Sequence, residues 1–203
     1  MMVAALPYLA QAQAVSPFDF PTDNGTDHSC TLLPAEGGLY HYARLPAELV
    51  KNRETTVLPS MTKTWAIQCT AATTVSFEVQ DLQSDSVGRN DKTRFGLGYV
   101  NVAGKLGSFA IEVSRATVDN DDTFFNTIDN RAATTNNKTK MAVSQGQSLG
   151  WYRGDESALA VGQTFTLDIT VTPTLNSLQE TNGPLVNGAE LDGLAQFIFT
   201  FGL

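Results

Sequence analysis

The chain has 203 residues, a formal net charge of −8 and 17% charged residues. It carries no Lys/Arg cluster, which excludes an electrostatic footprint for nucleic acid or anionic lipid; its surface must be furnished by Thr, Ser, Asn and Gln, as in many cell-surface β proteins. No Gly/Ser-rich or Pro-rich linker divides the sequence, so one domain over residues 30–203 is the simplest expectation.

Residues 1–14, MMVAALPYLAQAQA, join a short apolar stretch to Ala12-Gln13-Ala14. That is the small-x-small form of a signal-peptidase site, although no Lys or Arg precedes it. Export and a mature start near Val15 are expected, and the stretch is too short to span a bilayer. Residues 15–29, VSPFDFPTDNGTDHS, form an N-terminal extension in which only Phe18 and Phe20 alternate, flanked by Pro17 and Pro21. Asp23, Asn24, Asp27 and His28 read as solvated linker. Cys30 and Cys69 are the two cysteines. An even count in an exported chain suggests one bridge. Closing a loop of about forty residues would stabilise the fold by roughly 4 kcal/mol on the chain-entropy account.

Strands are expected over residues 55–58 and 64–69, then around Val75, Phe77 and Val79, over 95–102, and around Phe109, Ile111 and Val113. Another is expected near residues 141–143. The clearest alternation sets Phe165, Leu167, Ile169 and Val171 against Thr164, Thr166, Asp168, Thr170 and Thr172. Residues 39–51 hold at most one helical turn, since Pro46 interrupts them. Polar loops occupy 119–122, 134–139 and 176–188. Residues 194–203 end the sequence on an apolar strand with Ala195, Phe197, Phe199, Phe201 and Leu203 on one face. Its free edge must be covered by an earlier segment or by another protein. Many short strands joined by polar turns make an all-β sandwich the expected fold class.

Catalytic motifs are weak. Gly146-Gln147-Ser148-Leu149-Gly150 fits the nucleophile-elbow pattern, but His28 and His41 both precede the Ser and no βα pattern surrounds it. A Gly-rich turn beside Trp151 and Tyr152 is the simpler reading. An order of His41, an Asp, then Ser148 or Ser157 lacks the Gly-rich context around Ser157. No catalytic residue and no cofactor is expected. Asp119, Asp121 and Asp122 cluster without the Gly and distant Glu of a Ca2+ loop, and no Cys/His spacing suggests zinc, so no metal is expected. Gly96, Gly98 and Gly104 sit among alternating strand residues and make no phosphate cradle. Asn24 and Asn137 sit in N-x-T sequons, which by themselves need not be read as glycosylation sites. Tyr40, Trp65, Trp151 and Tyr152 could stack on sugars in an adhesin; core packing explains them more simply.

With a leader, a cysteine pair, alternating strands and a terminal apolar strand, the chain resembles the chaperone-usher pilus subunits, and among them a fimbrial-like family of secreted proteins from Gram-negative bacteria. The resemblance rests on Leu58-Pro59 leading through TKTWAIQC to Cys69, CTAATTVSFEVQD, FGLGYVNVAGKLGSFAIEV from Phe95, and ELDGLAQFIFTF near the end. It implies an immunoglobulin-like, pilin-type sandwich that lacks its final strand and is completed by a donor strand. Its partners would be a periplasmic chaperone, an usher and neighbouring fibre subunits. On this resemblance Phe197, Phe199, Phe201 and Leu203 line the groove or meet the chaperone. Cys30 and Cys69 would staple the first two strands, and Phe18 and Phe20 are the candidate donor segment. Two departures stand out: Gly202 occupies a penultimate position where relatives carry an aromatic residue, and prolines flank the short donor pattern. The implied function is a structural or accessory subunit of a surface fibre, in the periplasm in transit and then at the cell surface. The competing reading is a self-contained secreted sandwich that binds a glycan or host receptor through loops 119–127 and 150–156.

Overall fold

The computed structural model describes residues 29–87, 91–128, 138–154, 158–186 and 188–202. Its strands in chain order are β1 (Cys30–Pro34), β2 (Thr56–Val57), β3 (Met61–Asp81), β4 (Phe95–Gly96), β5 (Tyr99–Val100), β6 (Gly104–Lys105) and β7 (Gly107–Val118). They continue with β8 (Asp121–Asp122), β9 (Phe124–Thr127), β10 (Lys140–Ala142), β11 (Leu149–Tyr152), β12 (Val161–Leu175) and β13 (Ala195–Gly202). All pairings are antiparallel. An 11-stranded sheet follows the path β10-β7-β12-β3-β11-β9, and β5 with β6 makes a small second sheet. The large sheet is curled and open, a half-barrel consistent with an incomplete sandwich.

The curl originates in β3. The sequence suggested two strands in this region, around residues 64–69 and 75–79; they are one strand of 21 residues. Its first half pairs with β1 on one edge and β12 on the other, and its second half with β13 and β11. Between the halves the register against β12 slips, with Gly162 opposite Thr73 but Thr164 opposite Gln68. The segment spanning that slip, Cys69-Thr70-Ala71-Ala72, has only small side chains, which lets the strand turn a corner. An ideal strand would hold Trp65 and Val79 roughly 45 Å apart. Phe197 pairs with Val79, yet its ring centroid lies 5.0 Å from that of Trp65. The two halves of β3 therefore face one another across the core.

The inward positions are those the alternation marked. Phe165, Leu167 and Ile169 of β12 are fully buried, with Ile67, Val75, Phe77 and Val79 of β3 and Ile111, Val113 and Val118 of β7. On β7 the burial pattern changes parity at Arg115, whose φ of 49° and register slip against β12 mark a β-bulge. Arg115 there donates to the carboxylate of Asp168, which also accepts from the Thr64 hydroxyl at 2.6 Å. Asp168, foreseen on the polar side of β12, is thus buried with both partners in place.

Residues 119–122 form a two-residue hairpin rather than an open acidic loop. Asp119 and Asn120 both have positive φ, 53° and 70°, as a type I′ turn between β7 and β8 demands. Ala47–Leu49 forms a single 3-10 turn with Pro46 at its N-cap. On the far side of the molecule the antiparallel bridge between Phe125 and Lys138 ties β9 to the segment leading into β10. The near side, where β1 and β13 lie, has no such tie among the described residues.

Candidate functional site

The candidate site is the outer edge of β13. Leu82 donates its N–H to the carbonyl of Leu194 at 3.0 Å, which phases the ladder between β3 and β13. Hydrogen-bonded pairs recur at every second residue of an antiparallel pair. Gln196, Ile198, Thr200 and Gly202 therefore turn their N–H and C=O groups toward Gln80, Glu78, Ser76 and Thr74. The N–H and C=O groups of Ala195, Phe197, Phe199 and Phe201 point to the opposite edge, where no strand among the described residues receives them.

The same three phenylalanines aim their side chains at the core. Phe197 packs against Trp65 and Phe77, with centroids 5.0 and 6.0 Å away, and Phe199 lies 5.7 Å from Phe77. Phe77 continues the aromatic chain to Trp151 and Phe125 in the interior. Phe197, Phe199 and Phe201 are nonetheless only partly buried, while their neighbours Val75, Phe77 and Val79 on β3 are sealed. An apolar face left partly open beside a row of backbone groups that have no strand partner among the described residues is the form of an open sheet edge that can accept a further strand.

β13 also lacks the devices that usually protect an edge. Its sequence AQFIFTFG contains neither a charge nor a proline over eight residues. The other short strands are protected differently: β8 is two aspartates, β2 has two residues, and β1 ends in Pro34. Short strands, charges and prolines all discourage edge-to-edge pairing.

β1 stands on the same edge of β3, on the other side of the corner. Cys30 is opposite Cys69, and the two form a disulfide with Cα atoms 4.0 Å apart. Ser29 accepts a hydrogen bond from the Thr70 N–H at 2.9 Å, which makes the cysteines a non-hydrogen-bonded pair, the closer of the two pair types. The staple joins β1 to β3, so it links the first strand to the third and not the first two strands in sequence. β2 lies between them in the chain and pairs with β12 instead.

Gly202 has a local explanation. Its carbonyl accepts from the Thr73 hydroxyl, and a Cβ at this position would stand 2.6 Å from Thr74 Oγ1. A side chain here would displace the hydroxyl packed under the end of β13. Leu203, Phe18, Phe20 and His28 lie outside the described residues.

The remaining sequence candidates take structural places. Trp151 and Tyr152 lie on core strand β11, buried, with Trp151 donating its indole N–H to the Thr166 carbonyl at 3.1 Å. Trp65 is buried as well. These rings offer no exposed stacking platform. The Gly-rich turn expected over 146–150 ends at Gly146; Leu149 and Gly150 are already strand, a correction whose cause is the burial of Leu149 against Phe77 of β3. Ser148 directs its carbonyl to the Ile128 N–H, and Ser157 lies outside the described residues. Asp119 accepts from the N–H groups of Gln163 and Thr164, and Asp121 pairs with Arg153. No group of metal-ligating side chains occurs among the described residues. Tyr40 is half-buried and donates to the Ile169 carbonyl at 2.9 Å; burial pushes its phenol well above the usual range. Strand β9 was missed by sequence reading, although Phe124-Phe125 supplied a short apolar signal inside a stretch taken as loop.

Among the described residues no helix is long and apolar enough to cross a membrane. Compared with protein-family models and with curated proteins, the chain matches none of them.

Proposed function

We propose that this protein acts by strand addition, as a structural or accessory subunit of a surface fibre of the chaperone-usher type. The observation that carries the reading is the outer edge of β13, where the backbone groups of Phe197, Phe199 and Phe201 lack partners among the described residues and their side chains are only partly buried. Main-chain hydrogen bonds along such an edge give affinity, and alternate apolar side chains filling the gap give specificity. Three buried apolar side chains at roughly 1.5–3 kcal/mol each would add stability comparable with that of a whole domain. Folding and assembly would then be coupled.

The donor would be a periplasmic chaperone during transit and a neighbouring subunit in the fibre, and this reading assigns the chain no catalytic role. Phe18 and Phe20 fit the apolar half of a donor. In an antiparallel addition to β13 each inward residue of the donor supplies both its N–H and its C=O to the edge. Both phenylalanines have an N–H to give, and in such an addition Pro17 and Pro21, which flank them, would turn their missing donors away from β13.

Production of the chain alone should give a poorly stable product in which the outer-edge amides of Phe197, Phe199 and Phe201 exchange faster than their β3-bonded neighbours, and co-production with its chaperone should yield a soluble heterodimer with those amides protected. A monomer that unfolds cooperatively and gains nothing from any donor strand would sink the reading.

A further inference from the structure

We propose that, when no donor is bound, two copies of the chain cover each other's open edge, β13 pairing antiparallel with β13 of the second copy about a two-fold axis at Ile198. Such a pair rests on the open edge that carries the strand-addition reading, and it adds the occupant of that edge in the absence of a donor.

The pattern of β13 points to a second copy. Read outward from Ile198, the strand AQFIFTFG meets a phenylalanine and then a polar residue on either side, Phe197 and Gln196 one way, Phe199 and Thr200 the other. Ile198 is 37% exposed and lies on the outer face, opposite in parity to the phenylalanines that pack on the core. Strand addition gives this side chain no task, because a donor fills the inner face. Self-pairing does.

A two-fold axis at Ile198 sets Phe197 opposite Phe199 of the second copy, and Ala195 opposite its Phe201. All four positions turn their backbone groups outward, so they become the hydrogen-bonded pairs of an antiparallel ladder. Gln196 then stands opposite Thr200, and Ile198 opposite Ile198, in the closer non-hydrogen-bonded pairs with Cα atoms about 4.5 Å apart. On the core face the phenylalanines of the two copies meet directly, and the small Ala195 leaves room for Phe201. A ladder centred on Phe197 or Phe199 instead would carry Phe201 or Ala195 past the end of the facing strand.

Charge permits the contact. The net charge of −8 opposes association in general, but β13 is uncharged. Glu78, beside Ile198 on β3, would stand three strand spacings, about 14 Å, from its copy, beyond the screening length of about 8 Å in physiological salt. Three phenylalanines bury about 150–250 Å² each when wholly covered, and these begin partly covered, so each copy contributes less than the roughly 800 Å² of a standard interface. The pair is therefore weak. A dilute chain keeps its edge amides open, and a donor strand can displace the second copy.

The test is sedimentation of the full chain over a range of concentrations. The parent should pass from monomer to dimer, more readily as salt screens the net charge. Ile198→Lys sets like charges directly opposite each other at the axis and should weaken self-association about tenfold or more. Ile198→Glu should do the same, and mixing the two variants should restore a dimer, which shows that both still fold. Register is read by cross-linking. Ile198→Cys should oxidise to a covalent dimer, whereas Thr200→Cys should not, since its two copies would lie about 13 Å apart along the strands. Equal self-association of parent and Ile198→Lys, or equal cross-linking at both positions, overturns the proposal. A parent that stays monomeric at every concentration yet forms the soluble chaperone heterodimer overturns self-pairing and leaves strand addition intact. A dimer that cross-links through Ile198→Cys and gives way to no donor supports self-pairing and sinks strand addition.

Discussion

Val161–Leu175 and Ala195–Gly202 carry the same kind of local pattern, apolar and polar side chains in strict alternation, and the structure treats them differently. β12 lies between β3 and β7, each of its edges is taken, and Phe165, Leu167 and Ile169 are fully buried. Among the described residues β13 has β3 on one edge only, and Phe197, Phe199 and Phe201 remain partly open. Half-burial of a strand is thus a property of its neighbours. An alternating sequence states which side chains want the core, and it is silent on whether the core will be closed above them.

Truncations give the sharpest contrast between the two strands. Phe165→Ala, in the sealed strand, should lose about 3–5 kcal/mol, because a cavity opens among Trp151 and its neighbours. Urea denaturation measures it, and a loss below about 1 kcal/mol would mean that the interior is not packed as described. Breaking the Cys30–Cys69 bridge comes next, at up to roughly 4 kcal/mol on the chain-entropy account. Because β1 frames the open side, the cysteine-free variant should also show faster amide exchange in residues 30–34 than in β12.

Phe199→Ala should cost about 1–2 kcal/mol in the isolated chain, since its ring is only partly buried. With a donor strand bound the same substitution should cost more, and an equal cost in both states would remove the distinction between the open strand and the sealed one. The smallest effect is expected at Tyr40→Phe, about 1 kcal/mol from the lost hydrogen bond to Ile169 on β12. The Tyr40 phenol is held above its unfolded pKa, primarily by burial, so ionisation favours the unfolded chain. Its stabilising contribution should be complete below about pH 10 and decline as pH rises further, and the Phe variant should lack that part of the decline.

Legibility varied along the chain for physical reasons. β12 and β13 were readable because uninterrupted alternation has one interpretation. β3 was divided into two because Cys69-Thr70-Ala71-Ala72 interrupts the apolar face, and small residues at a corner look like the end of a strand. β11 was hidden because Gly146 and Gly150 suggested a turn, whereas Gly150 sits inside a strand with Leu159 packed tightly where a Cβ would be. The acidic run 119–122 showed its charge in the sequence but not its hairpin, which depends on β7 continuing into β8. The edge residues Phe197, Phe199 and Phe201 were identified in the sequence by periodicity, but their exposure was not.

By itself, the sequence determined the all-β class of the fold, the inward face of the alternating runs around Val75–Val79, Phe109–Val113 and Phe165–Val171, and the pairing of the two cysteines, because alternation and composition are local properties. The tertiary structure alone decided that β3 bends back on itself, that β1 and β13 share one of its edges, and which row of backbone groups on β13 is left over. Those outcomes depend on register between segments far apart in the chain, and a register shift of one residue exchanges bonded for unbonded groups without altering any local pattern.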